Sequence, residues 1–195
     1  MKQISLTILF LLSVLITFAQ ENYLEKGNSY LNKQEYDKAE QIFREAIKSD
    51  PGKLIYQCQL GLTLIQEKKY VEAEQVIDKV LKTEPNNVAA IWYSGIGNFN
   101  NSQDRKAIER FEKASTLLDK KSPQYYSANW YIGKSYSKLL KTEGLTYTEV
   151  DRMFECYEEY LRLQPNAEDA TNIKEYIDRK KKRRAPQNVK VWLDM

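Results

Sequence analysis

The chain has 195 residues, with 30 Lys and Arg against 27 Asp and Glu and a formal net charge of +3. That length suits one compact domain or one short repeat array, and so even a charge balance gives no global reason for nucleic-acid binding. Histidine is absent, which removes the commonest general base, the commonest metal ligand and every Ser-His or Cys-His nucleophile pair. The two cysteines, Cys58 and Cys156, are too few for a disulfide framework or a thiolate zinc site, and seven glycines with five prolines argue against an all-β fold.

The chain begins with MKQISLTILFLLSVLITFA, residues 1–19. Lys2 is followed by an apolar run from Ile4 to Phe18, and small Thr17 and Ala19 stand three and one places before Gln20. This is the pattern of a cleaved secretory signal. Its TFAQ ending resembles Sec signals of Gram-negative bacteria, so the expected location is periplasmic or secreted. The alternative is an uncleaved anchor in the inner membrane facing the periplasm, although the apolar run falls short of the ~20 residues that span a bilayer. No cysteine follows the run before Cys58, so a lipoprotein anchor is not expected.

From residue 20 onward the sequence repeats with a period of 34. Gly27, Gly61 and Gly95 keep that step, as do Ala39, Ala73 and Ala107, then Phe43, Ile77 and Phe111, then Ala46, Val80 and Ala114. Tyr36 pairs with Tyr70, and Pro51 with Pro85. A fourth copy carries Gly133, Tyr157, Tyr160 and Pro165. Within a copy the apolar residues recur every three or four places, which predicts two amphipathic helices joined by a polar turn. The glycine and alanine columns let helix backbones approach closely, and one hairpin cannot bury its own stripe, so copies must stack. The predicted boundaries are 20–53, 54–87, 88–123 and 124–165, then a capping helix with a basic end over 166–184 and a tail over 185–195.

These columns resemble the tetratricopeptide repeat, matched by Gly27, Tyr30, Tyr36, Ala39, Phe43, Ala46 and Pro51 in the first copy and by Leu60, Gly61, Tyr70, Ala73 and Pro85 in the second. The resemblance implies an all-α fold: a right-handed superhelical array of about four helix-turn-helix repeats plus a C-terminal capping helix. In that family the first helices line a concave groove that often holds a peptide. Carried over by position, the groove would be lined by Leu24, Asn28, Leu31, Cys58, Leu62, Ile65, Trp92, Ile96, Phe99, Trp130 and Lys134. The groove middle is then apolar, with an aromatic column towards its C-terminal end, which is the composition of an interaction surface. Only Asn28 and Lys134 resemble the carboxylate-clamp residues of chaperone-binding relatives, so no such clamp is expected. Aromatic residues at helical spacing are also what a core requires, and Trp92 fits either place.

Departures from the repeat carry their own expectations. Ser94 and Asn98 replace large apolar residues in the third copy, and Asp104 replaces the turn tyrosine. Ala114 and Pro123 stand nine residues apart, which predicts one more turn in that copy's second helix. The fourth copy holds eight extra residues near KTEGLTYTE, 141–149, read as an inter-helix loop. The run Arg179–Arg184 complements a helix C-terminus; its functional alternative is a weak contact with an anionic membrane surface or with an acidic partner.

The expected function is a non-enzymatic protein-protein interaction scaffold of the bacterial cell envelope that holds a protein segment in the groove, with no cofactor, no metal and no nucleic acid. No GxGxxG or GxxxxGK string occurs, and adjacent acids such as Glu158 and Glu159 do not face one pocket of a helix. The alternative is a structural subunit of an envelope complex, assembling through its terminal helices and basic tail.

Overall fold

The computed structural model describes residues 23–182; residues 1–22, where a secretory signal is expected, residues 183 and 184 of the basic run, and the tail expected over 185–195 lie outside the described residues. Every regular element described is helical. α1 covers residues 23–32. It is followed by α2 (Tyr36–Ser49), α3 (Leu54–Gln66), α4 (Tyr70–Thr83), α5 (Val88–Asn100), α6 (Asp104–Leu117), α7 (Pro123–Thr142), α8 (Tyr147–Leu163) and α9 (Ala170–Lys182). Two compact units result, divided between Pro85 and Asn86.

In the N-terminal unit, α1 pairs with α2 and α3 with α4, and the hairpins stack through α2 and α3. α2 buries Ala39, Ile42, Phe43 and Ala46, one stripe at helical spacing, and keeps Asp37 in its first turn and Lys48 in its last, both favourable to the helix dipole. The C-terminal unit repeats the scheme with α5–α6 and α7–α8, stacked through α6 and α7, and α9 rests on α8 as a cap. The stacked helix-turn-helix pairs are those the 34-residue columns predict. Each pair crosses at its glycine: a Cβ on Gly95 would lie 2.8 Å from the Phe111 ring, and one on Gly133 2.8 Å from that of Tyr157.

Each hairpin turns through a left-handed residue. Gln34, Lys68 and Ser102, 34 residues apart, have φ of 60°, 62° and 56°, and Gly144 does the same in the fourth pair with φ 70°. Around them the backbone closes a Schellman motif: Glu35 N–H donates to Tyr30 O at 2.9 Å, Lys69 N–H to Leu64 O at 2.8 Å and Gln103 N–H to Asn98 O at 2.8 Å. A side chain in this conformation is strained by its Cβ. Gln34→Gly and Lys68→Gly should therefore each stabilise the N-terminal unit by about 1 kcal/mol, read as a higher urea midpoint at unchanged slope.

The extra residues of the third and fourth copies sit where the sequence did not place them. α6 has 14 residues, like α2 and α4, so it gains no turn. Residues 118–122 form a connection instead, and Pro123 opens α7 at its first turn, capped by Ser122, whose Oγ accepts from Tyr125 N–H at 3.2 Å. Nor does 141–149 project as a loop. α7 runs to Thr142, nine residues past Gly133, whereas α3 runs five past Gly61. α8 starts at Tyr147 behind a Thr146–Glu149 capping box. Helix growth won because KLLKT holds good helix formers and the capping box supplies a start signal.

Ion pairs tie the hairpins together. Arg152 grips Glu112 through two parallel bonds of 2.7 and 2.8 Å, and Arg105 meets Glu143 at 3.3 Å and also Glu149. In the N-terminal unit Glu40 takes Arg44 at 2.6 Å and Lys69 at 2.7 Å, leaving Glu67 buried beside it with Lys69 at 3.1 Å. Burial first, and the neighbouring Glu40 second, push the Glu67 carboxyl up to about 7, while the hydrogen bonds of Lys69 and Arg44 outweigh burial and hold Glu40 down to about 2. Because the folded state raises Glu67, its contribution is fully present below the ordinary carboxylate value near 4.5 and is lost as pH rises through about 7. Between pH 5 and 8 the stability of the native chain should fall by about 1–2 kcal/mol relative to Glu67→Gln. Denaturation midpoints followed by circular dichroism across that range check it, without histidine titration in the way.

Candidate functional site

The C-terminal unit carries a groove along the inner face of α7. Tyr126, Trp130, Lys134, then Ser137 with its neighbour Lys138, and Lys141 follow at steps of three or four residues, so they share one stripe. The N-terminal half of this stripe opens on a cleft of about 520 Å³ lined by Tyr126, Ser127, Trp130, Tyr131, Tyr160, Glu168, Asp169 and Asn172. The other half opens on a cleft of about 430 Å³, lined among others by Lys134, Lys138, Lys141, Tyr176 and Arg179 and again by Asp169 and Asn172.

Asp169, at the end of the α8–α9 connection, organises both. One carboxylate oxygen accepts from Trp130 Nε1–H at 2.6 Å and the other from Tyr160 Oη–H at 2.9 Å. Burial and then the Asp169 carboxylate push the Tyr160 hydroxyl up to about 12, so it stays a donor at neutral pH. Trp130 also meets Tyr131 edge-on at 5.0 Å and Phe99 at 6.2 Å. Tyr131 stacks on Phe111 at 4.7 Å and receives Trp92 edge-on at 6.2 Å. Lys134 stands 5.2 Å above the Trp130 ring, a cation–π distance.

The structure thus gathers Trp92, Phe99 and Trp130 around Tyr131, each half-buried, with Ile96 and Lys134 also half-buried. They serve as packing and as surface together. In the N-terminal unit Leu24, Asn28, Leu31 and Leu62 are half-buried. Two expected groove residues need correction: Cys58 is 1% and Ile65 2% exposed, so neither offers a surface to a partner. Their apolar side chains are satisfied by enclosure, and burial pushes the Cys58 thiol up to about 11, leaving it an inert hydrophobe. Ser94 and Asn98, polar at core positions, satisfy each other within α5: Asn98 Nδ2–H donates to Ser94 O at 2.9 Å.

The sequence reading missed Tyr126, Lys138, Lys141, Tyr160 and Asp169 as site residues, and took Arg179 only as part of the basic run. Lysines at 134, 138 and 141 carried a helical-face signal that could have found part of the set. Asp169 carried none, because only the path of the connection brings it to Trp130. Among the described residues no group of three or more Cys, Asp or Glu could hold a metal ion, and no helix is long and apolar enough to cross a membrane.

A family model for the tetratricopeptide repeat matches residues 30–94. The match spans about a third of the chain. The hairpins that follow share the fold, and solved structures resemble most of the chain. PilF of Pseudomonas aeruginosa is 18% identical over 86% of this chain and 71% of that one, with a TM-score of 0.70. MamA of Desulfovibrio magneticus RS-1 is 19% identical over 76% and 77%, with a TM-score of 0.61. YrrB, described as a tetratricopeptide-repeat protein with an unusual peptide-binding site, is 18% identical over 80% and 75%, with a TM-score of 0.62. At these identities the likeness is one of fold. The sequence matches no curated protein.

Proposed function

We propose that this tetratricopeptide-repeat chain is a non-enzymatic scaffold of the cell envelope that holds a protein segment in the α7 groove. The observation that carries the reading is the pair of adjoining clefts along one helix, with half-buried aromatic rings at one end and lysines at the other. Half-exposed Trp and Tyr in a concavity are the residues that anchor protein partners. Binding there is burial, worth about 25 cal/mol per Å² of apolar surface covered and offset by the ordering of the guest. The peptide-binding site ascribed to YrrB, a protein of the same fold, supports a guest of that kind. The envelope location is supported by the composition of residues 1–19.

A photo-crosslinking residue at Ser127, on the rim of the aromatic cleft, tests this in source cells. Discrete adducts are expected there that do not form from Thr116, exposed on α6, and that vanish with Tyr126→Ala. The same adducts from both positions would sink the groove. Export is checked by the intact mass of the protein in the periplasmic fraction, expected to begin at Gln20.

A further inference from the structure

We propose that the groove between α7 and α9 takes an acidic, extended protein segment, whose carboxylates lie along Lys134, Lys138 and Lys141 with Arg179 opposite. This rests on the scaffold reading and narrows it to a partner class. The three lysines follow at intervals of four and three residues, so they stand on one face of α7. Lys134 and Lys141 are about 10 Å apart along the axis. Arg179 of α9 completes the wall of the same 430 Å³ cleft.

The cleft leaves all but Lys138 of this set without a counter-charge. Its one lining carboxylate is Asp169, and both oxygens of that group already accept hydrogen bonds from Trp130 and Tyr160. Lys138 faces the buried Asp104 carboxylate at 3.3 Å. Among the described residues no carboxylate lies within ion-pair distance of Lys134, Lys141 or Arg179. Elsewhere in the same unit Arg105, Arg152, Arg162 and Lys181 each have a carboxylate partner. Cations collected in one cleft focus a positive field and repel each other until a counter-charge arrives.

The cleft is continuous with the aromatic one through Asp169 and Asn172. From Trp130 to Lys141 the axis runs about 16 Å, the length of roughly five residues of extended chain. The guest is therefore a short segment with an apolar or aromatic anchor at the Trp130 end and two or more Asp or Glu after it. A protein segment is favoured over a membrane because three of the four described cations at the end of α9 are committed to the fold or to the cleft, leaving Lys182 exposed. Arg179 lines the cleft, Lys180 is buried with its amine 5.8 Å above the Tyr176 ring, and Lys181 pairs with Glu158.

The test is panning of a displayed random heptapeptide library against the full chain, followed by fluorescence anisotropy of the enriched peptides. Enriched sequences should carry at least two acids beside an apolar or aromatic residue. Binding should fall by about tenfold or more in Lys134→Glu/Lys141→Glu, fall with rising salt, and fall when the peptide's acids become amides. Lys141→Gln, which removes one charge at an exposed position, should give a smaller loss, and circular dichroism should show each variant folded. Enrichment of neutral or basic peptides that still need Tyr126 would overturn the acid preference and leave the scaffold reading standing. Failure to enrich any peptide, or binding indifferent to both ends of the groove, would sink both. Sedimentation with phosphatidylglycerol vesicles that is lost on charge reversal, with no acidic peptide bound, would overturn the proposal in favour of a membrane.

Discussion

Phe111→Ala should lower the stability of the C-terminal unit by about 3–5 kcal/mol. The ring is fully buried. It stacks on Tyr131 at 4.7 Å, receives Trp92 edge-on at 5.2 Å, and fills the space that a side chain on Gly95 would need. Alanine leaves a cavity and ends two aromatic contacts worth about 0.5–1.5 kcal/mol each beyond area. Tryptophan emission during urea denaturation reads the loss, because Trp92 and Trp130 both belong to this unit; a Trp192→Phe background removes the third indole. The neighbouring glycine supplies a cross-check. Gly95→Ala should cost about 1–3 kcal/mol, since the ring is held on two sides and cannot retreat. In Phe111→Leu the cost of Gly95→Ala should shrink, because a leucine can change rotamer. Equal costs in both backgrounds would show that the ring is not the obstacle.

The second large effect is expected at Asp169. Asp169→Ala should destabilise the same unit by about 2–4 kcal/mol, because Trp130 Nε1–H and Tyr160 Oη–H together lose a charged acceptor. Asp169→Asn, which keeps one acceptor oxygen, should lose less. α9 rests on α8, so hydrogen exchange over Ala170–Lys182 should rise with it. An alkaline absorbance titration gives an independent reading: the Tyr160 hydroxyl, held up near 12 by burial and Asp169, should move down towards the ordinary tyrosine value. A variant with an unchanged Tyr160 titration and protected α9 would show that Asp169 does not hold the cap in place.

The fold was legible because its determinants recur. A glycine followed sixteen residues later by a large apolar residue, three times at a step of 34, is a statement about two helices crossing, and the Gly95–Phe111 contact is that statement in space. The turns were less legible: Gln34, Lys68 and Ser102 share a left-handed backbone but no side-chain chemistry, so composition does not mark them. The fourth copy misled for a different reason. Eight added residues read as a loop only if nothing favours continuing the helix, and here the Thr146–Glu149 capping box and the helix formers before Thr142 did.

Of the site, the aromatic half was visible as Trp92, Phe99 and Trp130 at helical spacing. Whether such rings face water or protein depends on neighbours that the spacing does not name, and Tyr131 makes them do both. Positional transfer put Cys58 and Ile65 in the groove, whereas both are enclosed in the N-terminal unit. The cationic half depends in part on α7 being longer than its counterparts: Lys141 lies eight residues past Gly133, beyond where α3 and α5 end, whereas Lys138, at five, matches their last residues.

That extra length has a consequence for how recognition can change. α7 has 20 residues against 13 in α3 and α5, so one rod presents contacts that shorter rods would have to divide among themselves. Preference for a guest could then drift by point changes in a single segment, leaving the stacking seams untouched. The far end of the rod, around Lys141, is the part most open to such change, since Tyr131 against Phe111 and Lys138 against Asp104 tie the rest to α6.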